Sequence, residues 1–118
     1  MKKMRGKWLA LAMVTGLTGL VWAAAPAGAA GPDGAALFRS LHCAGCHKLS
    51  GRGVGISAQE MAQGYAGRRE ALLEFLGGAG QPLLMPDKAM RMARQLKETH
   101  KLSTADLNAL VDYILAQK

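Results

Sequence analysis

From Ala30 onward, apolar residues fall in short clusters at helical spacing, and nothing alternates with period two long enough to suggest a strand. Leu37, Phe38 and Leu41 recur at the three- and four-residue intervals that bring side chains onto one helix face. Asp33 stands where a carboxylate can accept the free amides of a helix start, so the pattern predicts a first helix from Gly34 to about Leu41. Ser57 followed three residues later by Glu60 has capping-box spacing and predicts a second, short helix. Leu72, Leu73, Phe75 and Leu76 predict a third over Arg69–Leu76, ended by Gly77-Gly78. Pro82 and Pro86 exclude Gly80–Pro86 from helix interior. Asp87 is expected to cap a helix running to about Glu98. Ser103, again with an acidic residue three positions on at Asp106, caps the last, whose face carries Leu107, Leu110, Val111, Ile114 and Leu115. The fold class is all-α.

The amino-terminal stretch follows a different logic. Lys2, Lys3, Arg5 and Lys7 precede an almost wholly apolar run from Trp8 to Trp22, and small residues follow from Ala23 to Ala30. This is the tripartite pattern of a secretory signal, with cleavage expected after Ala29. Residues 1–29 are therefore read as a signal peptide and 30–118 as one domain. The apolar run lies near the lower limit for spanning a bilayer, which leaves an uncleaved anchor as the alternative. Export also changes the charge. Of 15 basic residues four lie in the signal, whereas all 8 acidic ones lie beyond it, so 11 basic against 8 acidic leave the rest at +3 rather than +7. That balance, without a stacking platform, gives no case for nucleic acid. A chain of about 89 residues buries only a marginal core on its own, so a large apolar inclusion would complete it.

Cys43-Ala44-Gly45-Cys46-His47 supplies the attachment for such an inclusion. C-x-x-C-H is the haem attachment pattern. Two thiols three residues apart can each add to one of the two vinyl groups of a haem, and the adjoining imidazole is carried under the ring to bond the iron. A redox dithiol would want a βαβ context, absent here, and zinc would have to conscript His42 or His100. One covalently bound haem c is expected, with Cys43 and Cys46 as its attachment points and His47 on its iron. Glycines 51, 53 and 55 add no side-chain bulk and let the following loop pass close to the ring.

A stable electron-transfer haem usually fills the second axial position with Met or His. Met61, Met85, Met90, Met92, His42 and His100 are available. Met85 lies in a loop punctuated by glycine and proline, and Pro86 restricts its backbone, which lowers the freedom lost on holding its thioether at a metal. Met85 is the expected ligand and Met61 the next candidate. Met90 and Met92 read as helical, at least one of them packing against the haem or the terminal helices. His42 is committed to the same side of the ring as His47, and His100 reads as an exposed loop residue.

Leu37-Phe38-Arg39-Ser40-Leu41-His42 leading into the haem motif resembles the front of a small bacterial class I cytochrome c of the c-551/c-553 type. Leu83-Leu84-Met85-Pro86 resembles its methionine loop, and Leu107-Asn108-Ala109-Leu110-Val111-Asp112-Tyr113-Ile114 its last helix. The resemblance implies first and last helices crossing at Gly34, Phe38 and Tyr113, His47 and Met85 on the iron, thioethers from Cys43 and Cys46, and a haem edge near solvent. One departure stands out. The family commonly has a Gly-Pro pair whose proline carbonyl accepts the proton of the ligating histidine, where this chain reads Gly53-Val54-Gly55. The acceptor is expected among the carbonyls of Arg52 to Gly55.

With both axial positions filled and no nucleophile–base pair elsewhere, the expected protein is not an enzyme. It is a periplasmic, monomeric, soluble one-electron carrier between respiratory redox proteins, without membrane insertion once the signal is removed. The alternative is a haem subunit fixed to a larger oxidase, reductase or dehydrogenase. The basic series Arg91, Arg94, Lys97 and Lys101 reads first as a solvated helix face and second as a steering field for a partner.

Overall fold

The computed structural model describes residues 31–118, so the expected signal peptide and its expected cleavage site lie outside the described residues. Five α-helices follow in order: α1 (Gly34–Ser40), α2 (Ala58–Gly64), α3 (Arg69–Gly77), α4 (Ala93–Thr99) and α5 (Thr104–Leu115). A 3-10 turn over Cys43–Gly45 follows α1, and a 3-10 stretch over Pro86–Met92 leads into α4. There is no strand among the described residues.

The polar punctuation sets the helix starts. Asp33 Oδ1 accepts from the amides of Ala35 and Ala36 at 2.9 and 3.2 Å, and opens α1. At α2 the reciprocal box is complete: Ser57 Oγ accepts from the Glu60 amide at 3.1 Å, and Glu60 Oε2 accepts from the Ser57 amide at 2.6 Å. That second bond holds the Glu60 carboxyl below its ordinary range. At α5 only half of the box forms. Ser103 Oγ accepts from the Asp106 amide at 3.1 Å, but the aspartate, one methylene shorter than glutamate, does not return the bond. Gly78 closes α3 in the left-handed conformation, at φ 90°.

The helix expected from Asp87 takes a different form. The first residue of the element is Pro86, at the position where a missing N–H costs nothing, and Asp87 falls inside its first turn instead of capping it. The chain stays in tight 3-10 geometry to Met92, and α-helix begins only at Ala93.

The core is assembled on α5. Leu110, Val111 and Ile114 are buried there against Phe38 of α1 and against Leu72, Phe75 and Leu76 of α3. Each such side chain, fully buried, stabilises the fold by about 1.5–3 kcal/mol. The α1–α5 crossing is close because Gly34 has no side chain: a Cβ there would run into the Ala109 carbonyl oxygen and stand 2.6 Å from Tyr113 Cβ. Beside the crossing, the Phe38 and Tyr113 rings pack tilted, with centroids 5.5 Å apart. Gly34, Phe38 and Tyr113 meet as the resemblance implied. On the other flank, Arg69 fastens α3 to α5, donating from Nε to Asp112 at 2.7 Å and from a terminal nitrogen to Asn108 at 2.6 Å.

Candidate functional site

The helices enclose a cavity of about 640 Å³, within the range of roughly 300–1,000 Å³ typical of small-molecule and cofactor pockets. Phe38, Leu72, Phe75, Leu110 and Ile114 give it apolar walls. Cys43, Cys46 and His47 line it, as does Met85.

Local backbone geometry delivers the first three. Leu41 closes α1, and His42 then adopts a left-handed conformation at φ 58°, which turns the chain sharply into the motif. The amides of Cys46 and His47 both donate to the Cys43 carbonyl, at 3.2 and 2.8 Å. The turn places both thiols and the imidazole on one cavity. Burial raises the Cys43 thiol above its ordinary range, with repulsion from Cys46 adding to it and a backbone hydrogen bond opposing.

The imidazole is oriented from behind. His47 Nδ1 donates to the Ile56 carbonyl at 2.7 Å. A carbonyl can only accept, so the proton sits on Nδ1 and Nε2 keeps its lone pair for a metal. The acceptor therefore lies one residue beyond the expected Arg52–Gly55 stretch. The displacement follows from how the loop closes: Gly55 N–H donates back to the Cys46 carbonyl at 3.0 Å, while Ala58 and Gln59 amides donate to the carbonyls of Lys48 and Leu49. Residue 56 is left facing the ring. Gly55 passes so close to the imidazole that a Cβ there would stand 2.6 Å from Cε1. The close approach leaves no room for a side chain at this point of the loop.

Three thioethers line the cavity, those of Met61, Met85 and Met92. Met61 is buried within α2 as part of the core, and Met92 packs against that core. Met85 is different. It is 42% exposed, and its backbone is left-handed at φ 50°, ψ 53°. Proline at the next position disfavours helical backbone, so the restriction expected from Pro86 is overridden rather than obeyed. Such a conformation costs of order 1–3 kcal/mol and persists only where neighbours over-determine it. Met90 is 82% exposed and does not line the cavity. His100 is exposed, with its ring over Gly78 and beside a smaller crevice. His42 is exposed at the cavity's edge. Among the described residues neither histidine joins the two thiols in a metal-binding cluster of the zinc type.

Sequence reasoning missed two participants. The Ile56 carbonyl carries no side-chain signal. Tyr65, buried at the end of α2, accepts from the Leu83 amide at 3.0 Å with its hydroxyl, and a buried tyrosine's need for a polar partner was the available clue.

The donor set fits a haem: an apolar cavity of suitable size, paired thiols at attachment spacing, and an imidazole whose Nε2 is free. The cytochrome c family model matches residues 32–118, from the capping turn of α1 to the end of the chain. A comparison with curated proteins gives no match. The chain belongs to the cytochrome c family, and with it carries one covalently bound haem c and serves haem-based electron transfer.

Proposed function

We propose that this protein is an exported one-electron carrier whose haem is held by thioethers from Cys43 and Cys46 and ligated by His47 and Met85. When bound, the haem supplies an iron that takes up and returns one electron. The observation that carries the reading is the state of Met85, a thioether lining the cavity from a loop held in a left-handed backbone. A gap-filling core methionine would not need that conformation. His47, its Nδ1 hydrogen-bonded to the Ile56 carbonyl, would turn Nε2 toward the iron of a bound haem, and the apolar walls would pack against the ring.

Family members of this type act as carriers rather than enzymes, and in bacteria they typically work outside the cytoplasm. The charged amino terminus and following apolar run support the same location here, with residues 1–29 removed on export. No helix among the described residues is long and apolar enough to cross a membrane. Arg52, Lys88 and Arg91 line the cavity against a single carboxylate, Glu60, which is engaged with the Ser57 amide. A positive cavity mouth favours an acidic redox partner. Val54, 79% exposed, together with exposed Leu83 and Met85, also supports a second reading: a haem subunit fixed to a larger complex through an apolar face.

The test uses the exported protein. Intact mass should show a chain beginning near Ala30 plus one haem, and potentiometric titration should follow a single one-electron step with a sulfur-to-iron charge-transfer band in the ferric form. A full-length mass in the membrane pellet would make it an anchored cytochrome. Size-exclusion chromatography of the native extract separates the two readings, since a free carrier elutes as a monomer.

A further inference from the structure

The left-handed backbone at Met85 needs something to impose it, and α2 provides the means. The Tyr65 side chain is 3% exposed and lines the cavity, and its hydroxyl accepts the Leu83 amide proton at 3.0 Å. One residue earlier, Gly64 lies beneath Leu84, so close that a Cβ there would stand 2.6 Å from Leu84 Cδ1. The two residues before Met85 are therefore seated on the two residues that end α2. Beyond Met85, the Lys88 amide donates to the Met85 carbonyl at 2.9 Å, so the loop is pinned on both sides of the strained residue. The Leu83 amide has no helical or turn partner of its own, and without the phenol it would lose its hydrogen bond in a half-buried setting.

We propose that the end of α2 is the template for the methionine loop, with Tyr65 acting as a positioning residue that holds Met85 over the cavity through the Leu83 amide. The inference rests on Met85 being the distal ligand. A loop held by one hydrogen bond and one close contact opens more readily when either is removed, and opening exposes the metal to an external ligand.

The experiment is an imidazole titration of the ferric holoprotein, with amide hydrogen exchange at Leu83 as a second readout. Tyr65→Phe keeps the ring and removes only the acceptor. It should retain the sulfur-to-iron band yet bind imidazole roughly two- to twelvefold more tightly, the equilibrium equivalent of one hydrogen bond's net contribution. Exchange at Leu83 should accelerate. Tyr113→Phe, which removes a phenol hydroxyl at the α1–α5 crossing, should leave both readouts unchanged. Gly64→Ala disturbs the same loop through Leu84 and should raise imidazole affinity too, which keeps the test decisive if Tyr65→Phe does not accumulate. Unchanged imidazole affinity in Tyr65→Phe and Gly64→Ala, with Met85→Ala having lost the band, would overturn the template and leave the ligand assignment standing. If Met85→Ala itself kept the band, the ligand assignment would fail first.

Discussion

The two sides of the cavity are built by different means. On the side of the haem motif, the turn and hydrogen bonds that place His47 lie within residues 42–59. Cys43 and Cys46 anchor the turn, Gly55 makes room for the imidazole, and Ile56 accepts its proton. The methionine side has no such self-sufficiency. The loop that carries Met85 touches Tyr65 and Gly64, about twenty residues upstream, through the Leu83 amide and the Leu84 side chain. A side chain fixed by contiguous backbone stays in place as long as the local turn survives. One fixed by a remote clamp depends on the packing of α2, and it is the side expected to open first.

The largest effect should come from breaking the contiguous side at its anchors. In the double variant Cys43→Ser/Cys46→Ser both thioether donors are gone while side-chain size is nearly kept. Loss of covalent holoprotein is expected, with the small helical domain deprived of the inclusion that fills its cavity. Haem surviving acidic organic extraction of that variant would contradict the attachment.

Next comes the remote side. Met85→Ala should abolish the sulfur-to-iron absorption of the ferric form and lower the reduction potential, because losing a thioether favours the ferric state. The haem should stay attached, since its anchors lie elsewhere. Met61→Ala and Met92→Ala remove cavity-lining thioethers from better-packed positions. They should cost about 2–5 kcal/mol of stability where fully buried and leave the ligation signature intact. If one of these lost the signature while Met85→Ala kept it, the distal assignment would pass to that residue.

The same contrast explains what could be read from the chain and what could not. The contiguous side was largely legible: C-x-x-C-H names its chemistry, the glycines announce a close approach, and Asp33, Ser57 and Gly78 mark helix ends through local hydrogen bonding or backbone geometry. The rest depended on tertiary closure and on backbone geometry. The histidine's acceptor was misplaced by one residue because backbone carbonyls are chemically identical along a loop, and only the closure of 48–59 decides which one faces the ring. The start of the element after Met85 was misjudged because Asp87 looks like a cap, while the conformation of Met85 and Pro86 had already committed the chain to a 3-10 turn. Tyr65 escaped notice because its partner lies 18 residues away. Met85 itself was legible as a loop methionine, but not the strained backbone that sets it apart from Met61 and Met92.

A smaller change tests the contiguous side without removing a ligand. Gly55→Ala would put a methyl group 2.6 Å from the imidazole, and the ring must shift. Overpacking of this kind costs about 1–3 kcal/mol. Thermal unfolding should register it, and a changed reduction potential should accompany it, because the Nδ1 bond to Ile56 tunes the ligand. Gly53→Ala, which would approach the Cys46 carbonyl at 2.9 Å rather than the ring, should destabilise without comparable change in potential.

The smallest effect belongs to a feature that serves neither ligand directly. The Asp112 carboxyl is held below its ordinary range by the hydrogen bond from Arg69; its partial desolvation opposes this, and the guanidinium charge adds to it. A carboxyl lowered in the folded state contributes stability that is fully present above its unfolded pKa and is lost as pH falls through the folded value. The stability of the holoprotein should therefore decline on acidification below the usual aspartate range, and Asp112→Asn should flatten part of that decline. The group is largely exposed, so the change is small and weakens further in salt. The clamp joins α3 to α5 and shares no hydrogen bond with the Ile56 carbonyl or the Tyr65 hydroxyl. Melting curves of the variant should shift with pH, while the ferric spectrum and imidazole affinity stay those of the parent protein. A spectrum that moved with Asp112 would mean that the methionine side senses the packing of α3 against α5, and that its clamp extends beyond the end of α2.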